Sequence, residues 1–382
     1  MSIHTPEKYH ELLHTPDGVR DIYGKENARK QKVLSRVLEA MHLYGYEDLQ
    51  TPAFEYFDVF SREIGTTPSR DLYKFFDAEG NTLTLRPDFT PPVARCVAKY
   101  FMDEKNPLRF CYQGSAFVNT SALQGKRSES TQTGVELIND PSVYADAEMI
   151  ALLVECLQKA GLSDFQISIG NVEYFKGVCQ AAGLDPDTER SLRDYISGKN
   201  YFAAEDLLKS RGMKASQRDE FLRIADFMDD REALKKVREA TGNERSRKAI
   251  DRLIDLCRVI EAYGYGRYIS FDLTLLSKYH YYTGVIFKGY TYGTGEAIAT
   301  GGRYDGLLAH FGKDAPSIGF MIQIDALLEA MQRQKIEIPV DTHMEKIEYR
   351  PETYDACLEK AIRLRREGIR TLLVPARDEQ AE

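Results

Sequence analysis

The chain changes character twice along its length, and that alternation most constrains its fold. Up to about residue 171, strand and helix patterns follow one another. From 172 to 264 the sequence is highly charged, helix-forming and poor in strand signals, with helices expected at 216–229, 231–241 and 244–263. Strand patterns return at 267–276, 284–292 and 295–300, followed by a helix at 323–334. A sheet domain interrupted by helices accounts for this. Its first part covers 1–171, the helical insertion 172–264 and the second part 265–338. Residues 339–382 hold a polar stretch, a helix at 352–367 and the strand IRTLLVP, a short α/β segment too small to be a full domain. The fold class is α+β.

Local patterns fill in the first part. Pro16-Asp17-Gly18 is turn chemistry. Val33, Leu34, Val37, Leu38 and Met41 make one apolar stripe on a helix at 25–44, which Gly45 ends. YEDLQTPAF at 46–54 reads as a strand interrupted by Pro52, which suits an edge or a bulge. A hairpin is expected from strands at 72–77 and 82–86, turning at Glu79-Gly80-Asn81. Pro91-Pro92 begin a helix at 91–103. Strands at 109–118 and 130–138, a helix at 142–160 and the strand FQISIG at 165–170 complete it.

Bulk properties exclude several classes. The 51 basic and 59 acidic residues give a net charge of −8, which disfavours a dominant nucleic-acid surface. No run of about 18 apolar residues suggests a membrane span, and the N-terminus lacks a signal-peptide core. The six cysteines are far apart without C-x-x-C, so neither a zinc framework nor disulfides are expected. Free thiols in a reducing cytoplasm are the expectation.

Four segments carry candidate chemistry. LTLRPDFT at 83–90 puts Arg86, Asp88 and Thr90 at a strand end before a helix. A carboxylate and a hydroxyl there can bind an ammonium group, and can equally cap the helix. In STQTGVE at 130–136, Gln132 and Glu136 are four apart, hence on one face of a strand. Together they can bind an ammonium and an imidazole N–H; an ordinary exposed sheet face is the alternative. YHYYTGVIF at 279–287 adds Tyr281 and Tyr282, and GGRYDGL at 301–307 adds Arg303 and Tyr304, for which plain packing is the alternative. Gly301 and Gly302 allow a tight strand connection. No G-x-x-x-x-G-K-[ST] phosphate loop occurs.

In joint order, across roughly residues 14–330, these segments resemble the catalytic core of histidyl-tRNA synthetases. The resemblance implies a class II aminoacyl-tRNA synthetase-like antiparallel sheet flanked by helices. It implies that Asp88, Thr90 and Gln132 hold the amino group of histidine, Glu136 its imidazole, and Tyr282 and Tyr304 surround the ring. Asp88 stands where the family has Glu. Motif 1, the first long helix with the Pro52 strand, implies a homodimer.

Three cations of that family are missing. Their positions are occupied by Val118, Ser277 and Ala326, and the loop from Asn119 reads NTSALQGKRSES. Attack of a carboxylate on the α-phosphate of ATP brings two anions together, and arginines stabilise the growing charge. Losing one such donor commonly costs on the order of 100- to 1,000-fold in rate. Lys126, Arg127 or Lys278 can replace one, not three. Arg86, Lys278 or a partner chain is left to meet a ligand carboxylate. Most of the C-terminal anticodon-binding domain is also not expected.

This combination resembles the histidyl-tRNA synthetase-like family of ATP phosphoribosyltransferase regulatory subunits. It implies a non-catalytic role in the first step of histidine biosynthesis, a short-form catalytic partner in a hetero-oligomer, and histidine as effector. No cofactor, no metal and no tRNA partner are expected. An active histidyl-tRNA synthetase or another class II amino-acid ligase is the alternative.

Overall fold

The computed structural model describes residues 13–60, 67–120, 127–215, 218, 221, 231–276 and 281–376. They divide into two compact units. The larger comprises residues up to Asp21 and Val33–Glu337, the smaller Ile22–Lys32 and Ile338–Glu382.

In chain order the larger unit holds β1 (Glu47–Asp48), β2 (Phe54–Tyr56), β3 (Lys74–Phe76), β4 (Thr82–Leu85), β5 (Leu108–Phe117), β6 (Glu129–Ile138), β7 (Phe165–Asn171), β8 (Ile269–Phe271), β9 (Val285–Thr291), β10 (Ala299–Arg303) and β11 (Ser317–Gln323). Its helices begin with α1 (Gly24–Leu43, whose first residues belong to the smaller unit), α2 (Thr90–Tyr100) and α3 (Val143–Ala160). Eight strands form one sheet in the order β1-β5-β6-β11-β10-β9-β7-β8. It is antiparallel except at its two edges, where β1 runs parallel to β5 and β8 parallel to β7. A second sheet has the order β2-β4-β3.

Sequence chemistry sets the boundaries. The YEDLQTPAF stretch is not one interrupted strand: its two ends pair in different sheets. Pro52, which has no N–H to offer a ladder, lies between them. The Arg86 guanidinium fixes that crossing by donating to the carbonyls of Thr51 (2.8 Å), Pro52 (3.2 Å) and Ser115 (2.9 Å). The β3–β4 hairpin turns as expected, with the Asp77 carboxylate accepting the backbone N–H groups of Glu79 and Asn81. Helix α3 is capped by Ser142, ends at Gly161 in the left-handed region, and buries Met149, Ile150, Leu153 and Leu157.

The segment after β7 is helical, with α4 (Val172–Ala181), α5 (Pro186–Ser197), α6 (Tyr201–Ser210), α7 (Arg231–Ala240) and α8 (Glu244–Ala262). Four of these start at an Asn or Asp whose side chain accepts a backbone N–H: Asn171, Asp185, Asn200 and Asn243. Most of the helix expected at 216–229 lies outside the described residues.

Three expectations need correction. Of the strand at 267–276 only Ile269–Phe271 is extended; after it, Asp272 folds the chain into a turn by accepting from Thr274. The strand at 295–300 lies instead at Ala299–Arg303, so Gly301 and Gly302 sit inside β10 rather than connecting strands. Central strand β11 was not anticipated, because SIGFMIQ is buried on both faces and shows no alternation. The helix that follows it is α9 (Ile324–Arg333). In the smaller unit, β12 (Glu345–Tyr349), within the stretch read as polar, pairs in parallel with β13 (Thr371–Pro375) beside α10 (Tyr354–Arg366).

Candidate functional site

The site forms where the start of α2 meets the face of β6. Thr90 opens the helix, and Asp88 accepts its backbone N–H at 3.0 Å. The Thr90 hydroxyl donates to Glu136 Oε1 at 2.8 Å. The Tyr304 hydroxyl, just past β10, donates to Glu136 Oε2. Glu136 is 1% exposed and Tyr304 3%. Four residues back on the same strand face, Gln132 is 4% exposed, and among the described residues its Oε1 accepts no hydrogen bond. A buried acceptor in that state suits an incoming donor. The Tyr281 ring lies 4.6 Å from Tyr282 and 6.0 Å edge-on from Tyr304, which brings Tyr282 to the same cluster.

Glycines make room for these side chains. One row across the sheet runs Phe110, Glu136, Gly319, Gly302 and Ile286. A Cβ on Gly319 would lie 1.7 Å from Glu136 Oε2, and one on Gly302 2.6 Å from the Tyr282 ring. In the next row on that face Tyr112 is opposite Gly134, where a Cβ would lie 2.5 Å from the Tyr112 hydroxyl. Tyr112 is a site residue that the sequence reading missed. It is buried and stacks on Phe89 at 4.5 Å. Three glycines within strands, at 134, 302 and 319, were the available signal.

The electrostatics follow from burial. Burial pushes the Glu136 carboxyl up to about 8, against the opposing pull of the Tyr304 and Thr90 hydroxyls. Burial likewise raises Asp88 to about 7, against its bond from the Thr90 N–H. Burial and the nearby Glu136 raise the hydroxyls of Tyr112 and Tyr304 well above the ordinary tyrosine value. Below neutrality both acids are held largely protonated, and as pH rises Asp88 gives up its proton before Glu136 does.

The neighbouring arginines have other partners. Arg303 is buried, donates from Nε (2.9 Å) and Nη2 (2.6 Å) to Asp146 Oδ1, and reaches the Asp140 carbonyl. Arg86 binds backbone carbonyls and lies 4.0 Å from the Phe89 ring. At the positions of the missing cations, Val118 gives its N–H to Ser128 and Ala326 lies on α9. Arg127 approaches Asp325 at 4.0 Å. Ser277, Lys278 and Lys126 lie outside the described residues.

The profile of the histidyl-tRNA synthetase family matches residues 18–327. The ATP phosphoribosyltransferase regulatory subunit of Acetivibrio thermocellus is 36% identical over 357 residues, 94% of this chain and 85% of that protein. The subunit of the same name from Ruminiclostridium cellulolyticum is 37% identical over 321 residues, 84% of this chain and 77% of that protein. The chain belongs to the histidyl-tRNA synthetase-like family of ATP phosphoribosyltransferase regulatory subunits. Among solved structures, an ATP phosphoribosyltransferase regulatory subunit/histidyl-tRNA synthetase from Bacillus halodurans superposes with a TM-score of 0.88 at 32% identity, covering 97% of this chain and 94% of that one. A histidyl-tRNA synthetase from Nostoc, at 19% identity, TM-score 0.81 and coverage of 96% and 87%, shares the fold. This chain therefore carries a synthetase-like scaffold, on which Asp88, Thr90, Glu136, Tyr282 and Tyr304 come together and Gln132 lies four residues from Glu136 on the same face of β6.

Proposed function

We propose that the chain is a non-catalytic regulatory subunit of ATP phosphoribosyltransferase that binds histidine in the Glu136 pocket. The observation that carries this is a buried acceptor, Gln132 Oε1, on the same strand face as the buried Glu136 carboxyl that two hydroxyls contact, with the half-buried Asp88 carboxyl at the adjoining helix start. Such a pocket suits a small ligand with two separated cationic or N–H groups. In this reading Asp88, Thr90 and Gln132 receive the α-ammonium group. Glu136 receives the imidazole N–H, and Tyr282 and Tyr304 flank the ring. Asp88 and Glu136 give up protons as the charged ligand enters.

The chain does not activate its ligand. Val118, Ser277 and Ala326 supply no cation to an α-phosphate. Its partner is a short-form catalytic chain that condenses ATP with phosphoribosyl pyrophosphate in the cytoplasm, with no tRNA involved. The chain pairs with a second copy through α1 and the Pro52 region, and the helices of 172–264 form an insertion in the synthetase-like core. Histidine acts by favouring a less active hetero-oligomer, with a reciprocal coupling of about 1–3 kcal/mol.

An active amino-acid ligase is the second reading, favoured by the retained pocket. Two assays separate them. The isolated chain is expected to give no histidine-dependent ATP–pyrophosphate exchange, and exchange at the rate of a working synthetase overturns the proposal. Added to the short catalytic chain, it is expected to raise phosphoribosyl transfer, and histidine then lowers it. A catalytic chain that ignores it rejects the regulatory role.

A further inference from the structure

We infer that His42, Asp48 and Cys111 form a binding site for one divalent cation of the zinc class. The three are far apart in sequence and come from different elements: the last turn of α1, β1 and β5. The fold brings them together in two steps. Gly45, in the left-handed region at φ 78°, reverses the chain after α1, so that His42 faces Asp48. The parallel pairing of β1 with β5 then sets Asp48 directly against Cys111.

The geometry is close to that of a tetrahedral site. His42 Nε2 lies 3.2 Å from Asp48 Oδ1, and Cys111 Sγ lies 3.4 Å from the same oxygen. All three ligand atoms lie within 4.8 Å of one another. Zinc bonds of about 2.0–2.3 Å to nitrogen, oxygen and sulfur put the corners of a tetrahedron about 3.3–3.6 Å apart. Two edges already have that length. The third, His42 to Cys111, closes by rotation of the imidazole, whose side chain is 46% exposed.

The donor set has its own logic. A thiolate, an imidazole and a carboxylate match the borderline-soft zinc ion and suit magnesium or calcium poorly. A thiolate and a carboxylate together balance the charge of a divalent ion. Cys111 is buried, which shields the soft ligand, while the Asp48 side chain is 72% exposed and leaves a path for the ion and a water as fourth ligand. The ion would tie the end of α1 to the edge of the main sheet. It would do so from the strand that carries Tyr112, whose side chain points to the opposite face from that of Cys111.

The test uses the full chain, stripped with a chelator and titrated with cobalt(II) as a coloured substitute for zinc. The expected result is one equivalent bound with a thiolate-to-cobalt charge-transfer band, bleached by one equivalent of zinc. His42→Ala, at an exposed position that leaves the core intact, and Cys111→Ser each abolish the stoichiometric band. Zinc raises the Tm of the native chain and leaves that of His42→Ala unchanged. Cobalt bound without the band, or a band that survives His42→Ala, assigns the metal to other groups and overturns the proposal. So does the absence of any stoichiometric binding.

Discussion

Two buried carboxylate clusters lie side by side, and they are built on opposite principles. At Asp146 the partners are cations. Arg303 donates two hydrogen bonds to one oxygen, and Arg252 donates one at 2.6 Å to the other. At Glu136, hydrogen-bonded to Tyr304, which follows Arg303 in the chain, the partners are two hydroxyls. The first cluster is closed: its charges are neutralised within the protein, and it joins α3, α8 and β10. The second holds no cation, and Gln132, with an unpartnered acceptor among the described residues, lies four residues along the same strand face. A buried acid served by hydroxyls keeps its proton until something positive arrives. On the proposed reading, the difference separates a structural ion pair from a receptor for a cationic ligand.

Removing the cation at the closed cluster is the harshest way to probe that contrast. Arg303→Met leaves Asp146 buried with half its compensation and is expected to destabilise the chain by about 3–5 kcal/mol in urea unfolding. A loss below about 1 kcal/mol would mean that Arg303 is not the structural partner described. Glu136→Gln at pH 6 is expected to cost little by comparison, because the native carboxyl is already protonated there.

The pH dependence sharpens the comparison further. A carboxyl raised from 4.5 to about 8 in the folded chain keeps its proton where the unfolded chain has lost it. Its contribution to stability is full below about 4.5 and is lost as pH rises through about 8. Asp88, raised from 3.8 to about 7, behaves in the same way. The unliganded protein is therefore expected to lose stability between pH 5 and 8, by on the order of a few kcal/mol. In Glu136→Gln the decline becomes shallower and ends near pH 7, where Asp88 has titrated. Identical urea midpoints for the two proteins across that range would show that Glu136 is not held protonated.

Much of this was legible in the sequence, because it depended on local chemistry. The β3–β4 turn at Glu79-Gly80-Asn81, the helix begun at Pro91-Pro92 and the long helix at 142–160 follow from residue types alone. So did the pairing of Gln132 with Glu136 on one strand face. What stayed hidden was set by tertiary pairing. Strand β11 lies in the middle of the sheet and reads as a plain apolar run. Gly301 and Gly302 looked like connection residues, and only the sheet register shows Gly302 clearing the Tyr282 ring beside Gly319, which clears Glu136. Tyr112 gave no signal apart from its opposition to Gly134. Arg303 looked like a site residue, and its engagement with Asp146, 157 positions away, could not be read from spacing.

Calorimetric titration of L-histidine into the native chain and into Glu136→Gln tests the central claim most directly. The native chain is expected to bind histidine in the pocket. The variant exchanges a charge-assisted bond to the imidazole for a neutral one and is expected to bind more weakly by about 1–2 kcal/mol. Equal affinities, in a variant whose fold and unfolding midpoint at pH 6 match the native chain, would contradict the assignment of Glu136 to the ligand and with it the account of this pocket as the histidine sensor.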